Sequence, residues 1–468
     1  MEAIPKIIER KRNSFSFETL NNDRFFYENL LGSIHFLDEE GSSLKEKIDC
    51  LDTGRRDFKF KEDTINNRLR NLNTLVFNCT ENCNLNCGYC IYSGQYSSER
   101  RHNSKNKMSQ RIAQKALTEF MSSTIENPHV MFYGGEPLLE INFIKEAVAY
   151  AKSLTNREIS FGMTTNFTLA KPYLDFLAKN NFLLSISLDG PLQTHDEWRK
   201  DRKGNGSFNR IINNLRIIAD RFPEYFEKRI ALSVTLTDPT KLIELNEFFS
   251  NTELLSILPI NSQAIERNFL QSKELKANFS PEKMTEAESQ YWQLAREYCN
   301  NLLNSNEPSH FEKSLFDMPL YQIYSRNTGK LRESIIPQGM CIPGARKLFV
   351  SCSGDYHMCE KMGDRLKLGS VEEGLNTSLI KKSLSKYYKI RNSVCQDCWA
   401  YKECLSCAAS AKAVTNISTK GQMQNCERLE QMVFTGLSLY THLLKHEKAE
   451  EKIISYFKDY ETVEVKNG

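Results

Sequence analysis

The stretch Cys83-Asn84-Leu85-Asn86-Cys87-Gly88-Tyr89-Cys90 spaces three cysteines as CxxxCxxC, closely following a strand-like run, Asn73–Asn78 (NTLVFN). Three thiolates on one short loop can ligate three irons of a [4Fe–4S] cube, because such clusters are held by cysteine sulfur. The fourth iron is then left without a protein ligand, which suits the chelation of a small molecule better than simple electron transfer. A structural zinc site is the competing reading. It wants a fourth ligand nearby, which Cys79 can supply, and usually paired CxxC spacing.

The rest of the chain bounds the choice. Its 468 residues suggest two or three domains, each able to bury a core. With 40% apolar and 26% charged residues it has a globular composition. A net charge of +3 with both signs interspersed gives no basic footprint for nucleic acid. The first residues, MEAIPKIIERKRNSF, lack a signal-peptide core, and no run of about 18 apolar residues offers a membrane span. The expected location is cytoplasmic, where thiols stay reduced, so the 14 cysteines are not expected to form disulfides. Eleven of them fall in two groups, 79–90 and 341–407, with Cys299 and Cys426 apart. That grouping points to metal or cluster ligation.

Residues 1–72 carry few motifs and read as an N-terminal extension, a small docking or capping element for a peptide. Within it Phe25–Leu37 reads as short strand or helix, Ser42–Leu51 as a helix, and Cys50 as an ordinary buried thiol. From residue 73 to 262 apolar runs at Thr74–Asn78, Val130–Tyr133, Ile159–Thr164, Leu183–Leu188, Ala231–Leu236 and Leu254–Ile260 alternate with helical stretches. Such alternation implies parallel βα units. Six units are too few for a closed eight-fold barrel but enough for an open, curved one, with working residues on the loops after the strands. The unusual residues fall there: the cysteines after the first strand, Gly134-Gly135-Glu136-Pro137 after the second, Thr165-Asn166 after the third and Asp189-Gly190-Pro191 after the fourth. Each alone has a plainer reading, GGEP as a tight turn with a capping acid and Thr165-Asn166 as a helix cap.

CxxxCxxC with an aromatic before its last cysteine, then GGEP, TTN, and SLDGP followed by His195-Asp196 and Arg199, resembles the radical S-adenosylmethionine (SAM) superfamily over Thr74–Thr237. The resemblance implies an α/β fold built on a partial (β/α)6 barrel. It implies one [4Fe–4S] cluster on Cys83, Cys87 and Cys90, whose open iron chelates the methionyl amino and carboxylate groups of SAM. Gly134, Gly135, Glu136 and Pro137 would line the methionyl amino group, with Glu136 as the side chain there. Asn166, Ser187 and Asp189 match positions near the rest of the cofactor, and Tyr89 lies near the adenine. Arg199 could clamp the cofactor carboxylate; a helix start with surface charges is the other reading of His195, Asp196 and Arg199. Cys79 reads as a strand-end thiol.

Residues 263–336 read as a helical bridge, with Pro281–Asn301 and Phe311–Tyr324 helical and Cys299 in their packing. From 337 to 430 the cysteines return: Cys341 and Cys359 flank an expected hairpin, followed by Cys395, Cys398, Cys404 and Cys407, then Cys426. Two four-ligand sites need eight thiols; these are seven, with Cys352 available as another. Zinc remains an alternative for the CxxC pairs. Beside the upstream motif, the set resembles the SPASM extension of peptide-modifying radical SAM enzymes, which carries two auxiliary [4Fe–4S] clusters. The resemblance gives Cys341, Cys359 and Cys407 to the first and Cys395, Cys398, Cys404 and Cys426 to the second. One departure is visible: two residues, not three, separate Cys404 from Cys407. Glu360 aligns with a catalytic acid of sulfatase-maturing relatives and is a candidate general base. Residues 431–468 read as an amphipathic helix and a charged, frayed tail.

The resemblance implies an oxidoreductase in which a 5′-deoxyadenosyl radical abstracts hydrogen from a ribosomally made, cysteine-rich precursor peptide, forming a thioether or similar crosslink. A flavodoxin or ferredoxin would supply electrons. Within enzymes the rival is an anaerobic sulfatase-maturing, formylglycine-generating activity; from another class, a non-catalytic metal-cluster protein that binds a peptide.

Overall fold

The computed structural model describes residues 4–52, 72–94, 96, 102–123, 127–265, 267, 270–329, 342–363, 365–413 and 416–467. Near the N-terminus β1 (Lys6–Arg10), β2 (Ser14–Glu18), β3 (Arg24–Glu28) and β4 (Ile34–Phe36) form an antiparallel sheet in sequential order. Every residue of β2 is buried, because the sheet is covered on both faces. Ser14 and Asn13 bond to the helix Glu39–Asp49, through Asp49 and the Ile48 carbonyl. On the other face Phe15 stacks on Trp399 with ring centroids 3.6 Å apart, and Phe17 meets the edge of Phe434. Cys50, expected to be buried, is exposed just past that helix.

The parallel strands follow: β5 (Thr74–Glu81), β6 (Asn103–Lys107), β7 (His129–Gly134), β8 (Ser160–Thr165), β9 (Leu183–Ser187), β10 (Ile230–Leu236) and β11 (Ile260–Ala264). All but β6 lie parallel in the order β5-β7-β8-β9-β10-β11; β6 pairs antiparallel with the end of β5. β5 is buried on both faces, whereas β7, β9 and β10 alternate fully buried Val, Ile, Leu and Phe with part-buried residues, so one face of these strands is packed more closely than the other. The helices Gln110–Ser123, Ile141–Leu154, Phe208–Arg221 and Leu242–Asn251 supply the crossovers. The sixth strand lies later than expected: Glu253–Ser256 is helical, and the pairing begins at Ile260.

The C-terminal region extends the same sheet. β12 (Lys347–Val350) pairs parallel with the free side of β5, and β13 (Asp355–His357), β14 (Lys367–Ser370) and β15 (Gly374–Leu375) continue antiparallel from it. Among the described residues β11 has no partner beyond β10, so the parallel sheet is open. The hairpin around Gly354 is as expected, but its attachment to β5 brings Cys359 toward the cysteine loop.

The helices Pro281–Leu303 and His310–Tyr324 pack with the long helix Thr419–Leu444. The last begins at Thr419, ahead of the helix expected within residues 431–468, and Cys426 lies inside it. Gly436 permits this approach, since a Cβ there would stand 2.2 Å from the Pro319 carbonyl oxygen. The expected frayed tail is helical over Ala449–Asn467, anchored by buried Ile453 and Phe457. Among the described residues no helix is long and apolar enough to cross a membrane.

Candidate cluster and cofactor site

Strand β5 delivers the cysteine loop, and the turn after β7 holds it. Gly135 N–H donates to the Thr80 carbonyl at 2.7 Å and Glu136 N–H to the Asn82 carbonyl at 2.9 Å, just before Cys83. Only glycine fits here. A Cβ on Gly135 would stand 2.1 Å from the Asn82 carbonyl oxygen, and Gly134 sits at φ 136° with Thr80 O 2.4 Å from its Cβ position.

Glu136 then ties this turn to the end of β8. It is 0% exposed; Oε1 accepts from Leu138 N–H at 3.0 Å and Thr165 Oγ1 at 2.7 Å, and Oε2 from Asn166 N–H at 2.8 Å. Burial pushes its carboxyl up to about 7, against the pull of these donors. The plainer reading of GGEP is thus present as well, with Glu136 capping the turn Pro137–Glu140. Asn166 Nδ2 reaches back to Cys83 Sγ at 3.7 Å and Asn84 Oδ1 at 2.9 Å.

A second brace comes from β9. Asp189 Oδ2 accepts from Arg199 Nε at 2.7 Å and from the Tyr89 hydroxyl, while Oδ1 accepts from Thr235 N–H at 2.9 Å. The Arg199 guanidinium lies over the Tyr89 ring, 5.3 Å from its centroid. Asp189 N–H donates to His195 Nδ1 at 3.2 Å, which leaves Nε2 to donate to Ser207 Oγ at 2.9 Å. Burial lowers this imidazole to about 4, consistent with the neutral form. Asp196 caps the helix Phe208–Arg221 through the Ser207 and Phe208 N–H groups. Asp189, His195 and Arg199 are buried, so the surface-charge reading of this stretch does not describe it. Ser187 ends β9 beside Ser233.

The residues present fit a four-iron cluster. Leu85 N–H points at Cys83 Sγ and Tyr92 N–H at Cys90 Sγ, each at 3.4 Å. Backbone donors aimed at sulfur are what a cluster thiolate requires. Burial raises all three thiols, Cys87 to about 12, so they are neutral unless iron displaces the proton. Among the described residues no three His, Cys, Asp or Glu side chains close on a point as ligands of a single ion do.

The later cysteines form two groups. Cys404 and Cys426 both act on Cys395, Cys395 and Cys404 on Cys398, and Cys404 on Cys426, each raised chiefly by burial. These are the four expected together. Cys407 similarly acts on Cys359, which burial raises to about 12. Cys341 lies outside the described residues. Cys352 goes elsewhere: its Sγ is 3.1 Å from the Asn78 carbonyl, beside Cys79. Glu360 follows Cys359 and accepts from Lys347 Nζ at 3.4 Å.

Two residues were not anticipated. Tyr133, immediately before Gly134, interacts with Cys90, Glu360 and Cys359, and desolvation holds its hydroxyl well above the ordinary value. It thus senses both the cysteine loop and the Cys359 group. Arg391, on the unanticipated helix Thr377–Val394, lies against Cys404.

Residues 77–238 match the Radical SAM superfamily. A cysteine-type anaerobic sulfatase-maturating enzyme of Clostridium novyi (strain NT) is 32% identical over 161 residues, 34% of this chain and 43% of that protein. A serine-type anaerobic sulfatase-maturating enzyme of Bacteroides thetaiotaomicron is 33% identical over 141 residues, 29% of this chain and 34% of that protein. The chain thus spans under half the length of these curated relatives. In fold it is similar to a solved structure titled "Native anSMEcpe with bound AdoMet and Kp18Cys peptide", with TM-score 0.57, 19% identity, and coverage of 77% of this chain and 99% of that one.

Proposed function

We propose that this chain, whose residues 77–238 form a radical SAM domain, is a radical SAM oxidoreductase that matures a ribosomally made, cysteine-rich peptide in the cytoplasm. The observation that carries this reading is the conjunction of the braced CxxxCxxC loop with two further cysteine groups, one led by Cys359 beside Tyr133. A cluster held by Cys83, Cys87 and Cys90 would supply the electron for reductive cleavage of bound SAM, the source of the hydrogen-abstracting radical.

The chain's own residues position and exclude. Gly134, Gly135 and Pro137 shape the turn that would face the methionyl group. Glu136 fixes that turn to Asn166. Asp189 fixes Tyr89 and Arg199 along the remaining wall, and Ser187 ends the strand below it. Burial of Glu136, Asp189 and His195 keeps water from the site. Auxiliary clusters on Cys341, Cys359 and Cys407, and on Cys395, Cys398, Cys404 and Cys426, would stand near the peptide, with Glu360 as a base. Residues 1–72 act as the docking element, and a flavodoxin or ferredoxin is the electron donor.

Anaerobic reconstitution, reduction and assay for 5′-deoxyadenosine test the reading; a fully loaded protein that makes none refutes it. Iron should approach about 12 atoms per chain for three cubes, and zinc in its place refutes the auxiliary sets. The sequence similarity to sulfatase-maturating enzymes favours one second reading, oxidation of a Cys or Ser to formylglycine. Turnover of a sulfatase-derived peptide, and not of a cysteine-rich precursor, would select it.

A further inference from the structure

Helix Thr377–Val394 ends at the cysteine knuckle, with the Arg391 carbonyl accepting from Cys395 N–H at 2.8 Å. The Arg391 side chain is 0% exposed, and its Nη1 donates to Cys404 Sγ at 3.5 Å. The same guanidinium interacts with Cys395 and Cys426. Glu430 contributes the opposite charge near Cys395, Cys398 and Cys426, but it is partly exposed and already accepts from Trp399 Nε1 at 3.2 Å. Tyr387 on the same helix bonds Ser406, which bonds Gln422.

A guanidinium stays protonated at every physiological pH, and burying one is costly unless an anion faces it. An all-thiolate cube on these cysteines is one such anion, since it carries net negative charge that grows by one on reduction. A fixed cation and an N–H···S bond both favour the reduced form, and hydrogen bonds to sulfur and net charge set cluster potentials.

We propose that Arg391 is a positioning residue that raises the reduction potential of the cluster held by Cys395, Cys398, Cys404 and Cys426. This rests on the auxiliary-cluster reading above. It makes that cluster a better electron acceptor than it would be without the guanidinium, and independently of pH.

The test uses the full-length chain with Cys83→Ala, Cys87→Ala and Cys90→Ala, leaving only auxiliary clusters, reconstituted anaerobically and titrated by EPR-monitored potentiometry. With Arg391→Met the reduced-to-oxidised ratio of one cluster at a given potential should fall at least about tenfold, a shift of about 59 mV for one electron. The other cluster, as internal control, should not move. If Arg391→Met does not fold or loses iron, Arg391→Gln, which keeps an N–H donor without the charge, is read in the same way. Full iron with an unshifted potential, or equal shifts in both clusters, overturns the inference alone. A parent protein without about eight irons overturns the auxiliary-cluster reading and this inference with it.

Discussion

Asp189→Asn separates a working brace from an incidental contact. Arg199 Nε donates to Asp189 Oδ2 at 2.7 Å, and both side chains are buried. The substitution keeps one oxygen, which can hold the Thr235 N–H bond, and then turns an NH2 group toward the Arg199 donor and the Tyr89 hydroxyl. Removing one half of a buried ion pair costs about 3–5 kcal/mol, because the remaining charge stays desolvated without its partner. The lost Tyr89 bond adds about 1 kcal/mol. Urea unfolding at pH 7, followed by tryptophan fluorescence, is suited to the measurement, since the Trp198 ring packs on Gly88 in the cysteine loop. A loss of about 4 kcal/mol is expected. Adding Arg199→Met should recover at least about 2 kcal/mol, because no unpaired charge is then left behind. A single variant within about 1 kcal/mol of wild type, or a double variant no more stable than the single, refutes the brace.

Glu136 titrates in the fold near 7, above its ordinary 4.5. Its neutral form is therefore favoured by folding, and the associated stability, present below pH 4.5, is lost as pH rises through about 7. That loss is about 3 kcal/mol at about 1.4 kcal/mol per unit, and Glu136→Gln should flatten this part of the pH–stability profile; an unchanged slope counts against the shift. Cys407→Ala should remove about four irons, while Cys352→Ala, whose thiol sits by Asn78 and Cys79, should remove none; the reverse result reassigns the ligand. Gly135→Ala should cost about 3 kcal/mol and prevent iron loading on the cysteine loop, because Asn82 carbonyl oxygen would stand 2.1 Å from the new methyl group. A variant that loads normally rules out the close approach.

The parallel strands were legible because each is an apolar run with its polar and glycine residues at one end. The N-terminal sheet was not. Alternation in Ser14–Glu18 (SFSFE) normally marks one wet face, but here the serine face is closed by the helix Glu39–Asp49 and the phenylalanine face by Trp399 and Phe434. Those aromatic partners are distant in sequence, and no local pattern announces them. The misplaced sixth strand has the opposite cause. Leu254–Ile260 is the apolar stretch, yet it supplies Leu255 and Leu258 to the core from a helical turn and bend. The strand itself is Ile260–Ala264 (INSQA), an edge that buries little and so needs few apolar residues.

For the site, sequence identified the residues by spacing but not what they hold. Glu136 read as a cofactor-facing or capping acid and Asp189 as a cofactor-facing one; their oxygens also join the end of β7 to that of β8, and the end of β9 to β10 and to Tyr89 of the loop. Such contacts depend on which loops converge, and only the sheet order supplies that. The spacing departure at Cys404–Cys407 shows the same limit: counting residues leaves Cys352 as a rival, while the attachment of β12 to β5 sets the Cys352 thiol on the Asn78 carbonyl. Arg391 had a readable signal. Ile380, Leu384 and Tyr387 recur at helical spacing through a lysine-rich stretch, and Arg391 takes the next place on that buried stripe. A cation where the period demands an apolar residue is expensive to bury alone. Its position one turn before Cys395, with Nη1 on Cys404 Sγ, is what makes cluster sulfur the proposed counter-charge.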